Sequence, residues 1–254
     1  MQPALQVLAL VTNVPGPLAA ARLTDGAQVV KVEPVQGDPL AAAAPAWYAA
    51  ITERMEVLRL DLRSPEQRAR VDDLLDSADV LITAMRGSAL SRLGLNWARL
   101  HARHPRLCHI AIVGEAAPND DRAGHDLTYQ AQAGLVDPPA MPRSVFADLF
   151  AAERAVAATY RALFERERTR RGTRVEIAIA NGATELADAV RYGLTTADGP
   201  LGGALAVYRL YQTTDGWIAL AALEPHFQAR VREALHVTSL DVAELAAIFA
   251  ERPG

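Results

Sequence analysis

Short apolar runs recur along the first two thirds of the chain: LQVLALVT at 5–12, VVKVEP at 29–34, VLRLDL at 57–62, VLITAM at 80–85 and LCHIAIVG at 107–114. Each is rich in β-formers and too short for a buried helix, so each is expected to be a buried strand. Helical patterns lie between most of them. The clearest is SPEQRARVDDLLDSAD at 64–79, where Ser64 as N-cap, Pro65 at the first helical position and Gln67 three residues after the cap predict a capping box. Val71, Leu74, Leu75 and Ala78 give that helix one apolar face. Strands alternating with helices predict an α/β fold: a Rossmann-like, mostly parallel sheet flanked by helices.

The pattern changes at the proline-rich stretch PPAMPR (138–143). A long helical pattern follows from about Val145 to Arg168 and ends in ERERTRRG, where arginines suit the negative end of the helix dipole and Gly172 is expected as a left-handed cap. The basic run is expected to be a solvated helix end. A strand (TRVEIAIA, 173–180) and another helix come next. VYRLYQTTDGWIALAAL (207–223) then reads as two strands joined around Asp215-Gly216. These divisions predict a large domain over 1–143, a linking helix with a strand and helix packing onto it over 144–195, and a smaller α+β domain over 196–254.

Composition narrows the chemistry. Of the 254 residues, 50% are hydrophobic and 22% charged, the balance of a folded globular chain, and the net charge of −4 carries no signature of nucleic-acid binding. Lys31 is the only lysine, so any Schiff-base chemistry would have to use it. Cys108 is the only cysteine, which excludes intrachain disulfides and multi-cysteine metal sites. The N-terminus MQPALQVLALV has no basic region before its apolar run, and no segment reaches the length of a membrane span, so a cytoplasmic setting is expected.

Several familiar sites are missing. TNVPGPLAAARL after the first strand holds only Gly16, between Pro15 and Pro17, and matches neither the dinucleotide fingerprint nor the P-loop. His101 and His104 in HARHP lack a partner for zinc, so no metal site is expected, and no G-x-S-x-G elbow occurs. What remains are carboxylates at element ends: Asp126 beside His125 in RAGHDLTYQAQAG, Asp148 in VFADLFAAERA, and Glu224 in LAALEPHF. The plain reading of each is a helix cap, with His125 at the surface. The chemical reading is that dipole and backbone donors hold such a carboxylate ionised, ready as nucleophile or base.

The order and spacing of VPGPLAAARLTDGAQVVKVEPVQGDPL, LRLDLRSPEQR, ADVLITAMRGSALSRLGL, HPRLCHIAIVG, AGHDLTYQAQAGL, ADLFAAERAVAATYRALFERERTRRG and YQTTDGWIALAALEPHF resemble the class III CoA-transferase family, which includes formyl-CoA and carnitine CoA-transferases and the α-methylacyl-CoA racemases. For the transferases the resemblance implies that Asp148 attacks an acyl-CoA thioester, forming an enzyme-bound anhydride and then an aspartyl-CoA thioester. For the racemases it implies that His125 and Asp148 exchange the α-proton, supported by Asp126 and Glu224. Arg63, Arg86 and Arg92 fall where relatives place cations near the nucleotide or its phosphates, and Val14 and Leu60 would line the adenine and pantetheine path. Arginine suits phosphate because its fork binds two oxygens at once.

The chain departs from the family pattern where TERMEV replaces a basic run, where Arg86-Gly87-Ser88 replaces an Arg-Pro-Gly turn, and where Phe150, Ala151 and Ala152 replace glycines after Asp148. Relatives also continue well beyond Gly254. The resemblance therefore implies an enzyme that moves CoA between carboxylic acids, with coenzyme A or acyl-CoA as substrate and no tightly bound cofactor. A racemase and a non-catalytic CoA-binding or interaction protein are the alternatives. The early stop raises the expectation of apolar surface covered in a homodimer or by a second subunit.

Overall fold

The structure is a computed structural model that describes residues 4–254; the first three residues of the N-terminal stretch considered above lie outside it. Six strands, β1 (Leu5–Leu10), β2 (Ala27–Glu33), β3 (Glu56–Arg59), β4 (Val80–Thr83), β5 (Cys108–Val113) and β6 (Arg174–Ala178), form one parallel sheet in the order β3-β2-β1-β4-β5-β6. The helices of this part are α1 (Pro15–Leu23), α2 (Pro39–Ala43), α3 (Pro45–Thr52), α4 (Pro65–Ser77), α5 (Gly87–Arg92), α6 (Trp97–Arg103), α7 (Asp126–Ala133), α8 (Phe146–Thr169) and α9 (Ile179–Leu186).

Both faces of the central strands β1, β4 and β5 are covered, which is why they read as unbroken apolar runs. The edge strands β3 and β6 are only partly buried, so the run at 57–62, expected as a buried strand, forms a half-exposed edge instead. Val7, Ala9 and Val11 point to a core shared with α1 and α8, while Leu8 and Leu10 point to a second core with Val71 and Leu75 of α4, Leu90 of α5 and Leu100 of α6. Helix α8 presents a buried stripe of Ala147, Ala151, Ala155, Ala158 and Ala162, small side chains that let a 24-residue helix lie close against its neighbours. The chain order reverses between β1 and β4, and the carboxyl ends of these strands open the crevice in which α/β sheets bind ligands.

Three local expectations are corrected. Ser64 is the N-cap of α4, but its side chain makes no capping bond; Gln67 turns instead to accept the Asp61 N–H at 2.7 Å. Helix α8 ends at Arg170, whose φ of 59° makes it the left-handed cap. Gly172 is needed for another reason: a Cβ there would lie 1.9 Å from the Leu107 carbonyl oxygen. Arg166 in the basic run is not solvated but buried, with its guanidinium 2.9 Å from Asp79.

The chain divides into two compact units between Leu186 and Ala187. The expected boundary at 195/196 lies nine residues further on, and residues 187–195, with α10 (Asp188–Arg191), belong to the second unit. That unit holds the antiparallel pair β7 (Tyr208–Gln212) and β8 (Trp217–Ala221), then α11 (Pro225–Leu235) and α12 (Val242–Ala250). Its core is Tyr211, Leu245 and Phe249. No described helix is long and apolar enough to cross a membrane.

Candidate active site

The turns after β1, β4 and β5 and the starts of α7 and α8 converge on a small cleft of about 220 Å³, whose walls include Asn13, Arg86, Gly114, His125, Tyr129 and Asp148. Helix α7 starts differently from expectation. His125 is its exposed N-cap residue, and Thr128 closes the turn by accepting the His125 N–H and donating to the His125 carbonyl. Asp126, the first helical residue, is the buried one.

Both oxygens of Asp126 are occupied. Oδ1 accepts the backbone N–H of Asp148 at 3.1 Å, and Oδ2 accepts from Nε2 of Gln130, which also donates to the Ser144 carbonyl at 3.0 Å. Gln130 is fully buried, and its Oε1 has no partner among the described residues. Asp126 and Gln130 thus tie the chain before α8 to α7 and fix where Asp148 enters the cleft.

Asp148 stands in the first turn of α8. The dipole there favours a negative charge, yet its carboxyl is pushed up to about 7, first by burial and then by the charge of Asp126. The expectation of a carboxylate held fully ionised is therefore corrected: near neutral pH it is poised between its two forms. Tyr129 lies behind it. A Cβ at either Gly114 or Gly124 would come within 2.2 Å of the Tyr129 hydroxyl, so these glycines make the space for that ring. Burial raises the Tyr129 phenol above its ordinary value, and the charges of Glu115 and Asp148 add to this, so it stays protonated.

A larger cleft of about 750 Å³ lies at the carboxyl ends of β1 to β3, bordered by Glu33, Leu60, Arg63 and Arg92. Thr12 and Met85 line both clefts, which are therefore neighbours. Arg63 is held by Asp61 at 3.0 Å, whereas Arg92 has no ion-pair partner among the described residues. The structure thus separates the three arginines: Arg63 and Arg92 face the large cleft and Arg86 the small one. Val14 lines neither and packs with Leu40 and Ile51. Glu224 is the exposed N-cap residue of α11, in the second unit. No described cluster of His, Cys, Asp or Glu could hold a metal ion.

Sequence reading missed Asn13, Gly114, Tyr129, Gln130 and Arg122, which also lines the small cleft. The GHD and TYQ stretches placed α7, but no local signal ties Gln130 to Ser144 or Tyr129 to Gly114.

Known proteins agree with this architecture. The sequence profile of CoA-transferase family III matches residues 4–252, and the chain belongs to that family. It is 29% identical to succinyl-CoA--D-citramalate CoA-transferase of Chloroflexus aurantiacus over 91% of this chain and 64% of that protein. It is 30% identical to succinate--glutarate CoA-transferase of Agrobacterium fabrum over 85% of this chain and 62% of that protein. The chain thus spans less than two thirds of the length of these relatives. A crystal structure of a CAIB/BAIF family protein from Brucella suis superposes with a TM-score of 0.80 at 27% identity, covering 96% of this chain and 75% of that one. The hypothetical protein Rv3272 of Mycobacterium tuberculosis gives 0.83 at 23% identity, covering 99% and 80%, and shares the fold.

Proposed function

We propose that this chain carries the nucleophile of a CoA-transferase that exchanges CoA between short dicarboxylic acids, with Asp148 forming the covalent bonds. The observation that carries this reading is the place of Asp148: a buried carboxyl, pinned through its own backbone by Asp126, opening on a small cleft beside one large enough for much of a CoA chain. The family adds the reaction class.

In the proposed sequence the ionised Asp148 attacks the thioester carbonyl, and CoA leaves as the thiolate while a mixed anhydride forms on the enzyme. The thiolate then attacks the Asp148 carbonyl, giving an aspartyl thioester and releasing the first acid as its carboxylate. The second carboxylate attacks that thioester, and the thiolate returns to the new acyl group, which regenerates Asp148. A carboxylate is a weak nucleophile, so the oxyanion of each addition needs a donor. The protonated Tyr129 hydroxyl in the same cleft is suited to that task. Arg86 and Arg122 supply cations for the distal carboxylate of a dicarboxylic acyl group, in keeping with the succinate, glutarate and citramalate in the relatives' names.

The experiment is a transfer assay with succinyl-CoA and a second short dicarboxylic acid, using the wild-type chain and Asp148→Asn. The expected result is transfer in the wild type, its loss by orders of magnitude in the variant, and CoA binding in both. Undiminished transfer in Asp148→Asn would overturn the reading, and α-hydrogen exchange in heavy water without transfer would point instead to a two-base racemase through His125 and Asp148.

A further inference from the structure

The chain's only lysine is spent inside the protein. Lys31 on β2 is fully buried, and its ammonium contacts Glu33 and sits 2.7 Å from Oδ2 of Asp38. Lys31 and Glu33 lie two apart on a strand and so share one face. Tyr48 donates its hydroxyl to Glu33 at 2.7 Å, its ring lies 5.1 Å from the ammonium, and Arg59 reaches the other Glu33 oxygen from the rim at 3.6 Å. Two cations therefore meet two anions. Desolvating such groups costs so much that apolar residues of the same volume often stabilise a fold as well, so stability is a poor reason for this cluster.

What the cluster touches suggests a better one. The Asp38 oxygen that does not face Lys31 accepts two backbone N–H groups, from Leu40 at 3.0 Å and from Asn13 at 2.9 Å. Asn13 has φ 66°, in the left-handed region that residues with a Cβ enter only at a cost. It lies in the turn between β1 and α1 and lines the small cleft with Asp148, while its neighbour Thr12 lines both clefts. A residue in that conformation persists when its surroundings hold it there. Asp38 does so, and Lys31 fixes Asp38.

We propose that Lys31 is a positioning residue for CoA transfer, acting through Asp38 to hold the Thr12–Asn13 turn that forms the wall between the thioester's cleft and the Asp148 cleft. The inference rests on the transferase reading above. It assigns the buried lysine to the geometry of the reaction, since a small displacement of this wall misplaces the thioester carbonyl relative to Asp148.

The test uses Lys31→Met, Asp38→Asn and the double variant Asp38→Asn/Asn13→Gly in the full chain, followed by thermal unfolding and steady-state transfer. Folded Lys31→Met and Asp38→Asn proteins are expected to lose on the order of a hundredfold in kcat, the scale of a small misplacement of reacting groups, with a smaller change in the KM for acyl-CoA. Glycine enters the left-handed region at no steric cost, so Asn13→Gly is expected to return part of the kcat lost in Asp38→Asn. A merely structural cluster would lower the melting temperature and leave kcat alone.

Unchanged kcat in either folded single variant, or no recovery in the double variant, would overturn the proposal. If neither buried variant folds, the exposed position 13 decides. A slower Asn13→Ala than Asn13→Gly supports the proposal, because only alanine strains the turn, and equal rates overturn it. Absence of transfer in the wild type would overturn the function and this inference together. Transfer that is lost in Asp148→Asn but intact in these variants would overturn this inference alone.

Discussion

The backbone N–H of Asp148 donates to Oδ1 of Asp126 across 3.1 Å, so one carboxylate fixes the main chain of another and places its own charge beside it. Burial first, and then the charge of Asp126, push the Asp148 carboxyl up to about 7. In the proposed mechanism the attacking species is the ionised form, so transfer should rise with pH through about 7 and level off above it. Replacing Asp126 by asparagine keeps an acceptor for the Asp148 N–H but removes the charge. The pH–rate profile of kcat/KM should then show its inflection moved to lower pH, only partway, since burial is the larger cause. An inflection that stays in place would remove Asp126 from the tuning of Asp148.

The same shift has a cost in stability, and its sign is fixed. Asp148 binds its proton more tightly when folded than at its ordinary value of 3.8, so between about pH 4 and 7 the folded chain holds the proton that the unfolded chain has lost. The contribution of this group therefore falls as pH rises through that window and is constant above it. Asp148→Asn lacks the titration. Denaturant unfolding at pH 5 and pH 8 should show the variant gaining on the wild type at the higher pH, and a constant difference would contradict the raised value.

How much of this could be read from the sequence follows the range of each interaction. The central strands were legible because burial on both sides of a parallel sheet leaves unbroken apolar runs, and the position of Asp148 was legible because the start of α8 is written in its own residues. The longer links were not. Nothing near Asn13 announces a positive φ, since its cause is Asp38, and nothing near Gly172 announces that it packs against Leu107. Asp126, expected as the helix cap, is instead a buried first helical residue because Gln130 and the chain at Ser144 enclose it, while His125 stays at the surface. Gln67 likewise abandoned its expected capping box for the Asp61 N–H, a choice set by the turn before the helix.

The two clefts divide the arginines between them, and this is open to measurement by calorimetry. Arg92→Ala should weaken CoA binding by about 1.5–3 kcal/mol, the worth of one charge-assisted contact, and the affinity of the wild type should fall as salt rises. Arg86→Ala should leave CoA affinity close to that of the wild type and raise the KM for the dicarboxylic acid. Equal losses of CoA affinity in both variants would contradict the division.

Tyr129 and Gly114 make a pair whose coupling can be isolated. A Cβ at Gly114 would lie 2.2 Å from the Tyr129 hydroxyl but 3.3 Å from the ring carbon that bears it. Gly114→Ala alone should displace the ring and lower both stability and transfer. Removing the hydroxyl as well, in Gly114→Ala/Tyr129→Phe, should return much of the stability while transfer stays low, because the proposed oxyanion donor is then gone. A double-mutant cycle on melting temperature and kcat tests this, and additive stability losses would contradict the contact.

The covalent role of Asp148 has one most direct test, which is peptide mass spectrometry of the protein quenched with hydroxylamine during turnover with succinyl-CoA. An aspartyl anhydride or thioester is cleaved by hydroxylamine to leave a hydroxamate on the side chain. That modification is expected on the peptide carrying Asp148, only when acyl-CoA is present, and is expected to be absent from Asp148→Asn. Active transfer with no modified peptide, or with the hydroxamate on another carboxylate such as Asp126, would contradict that role.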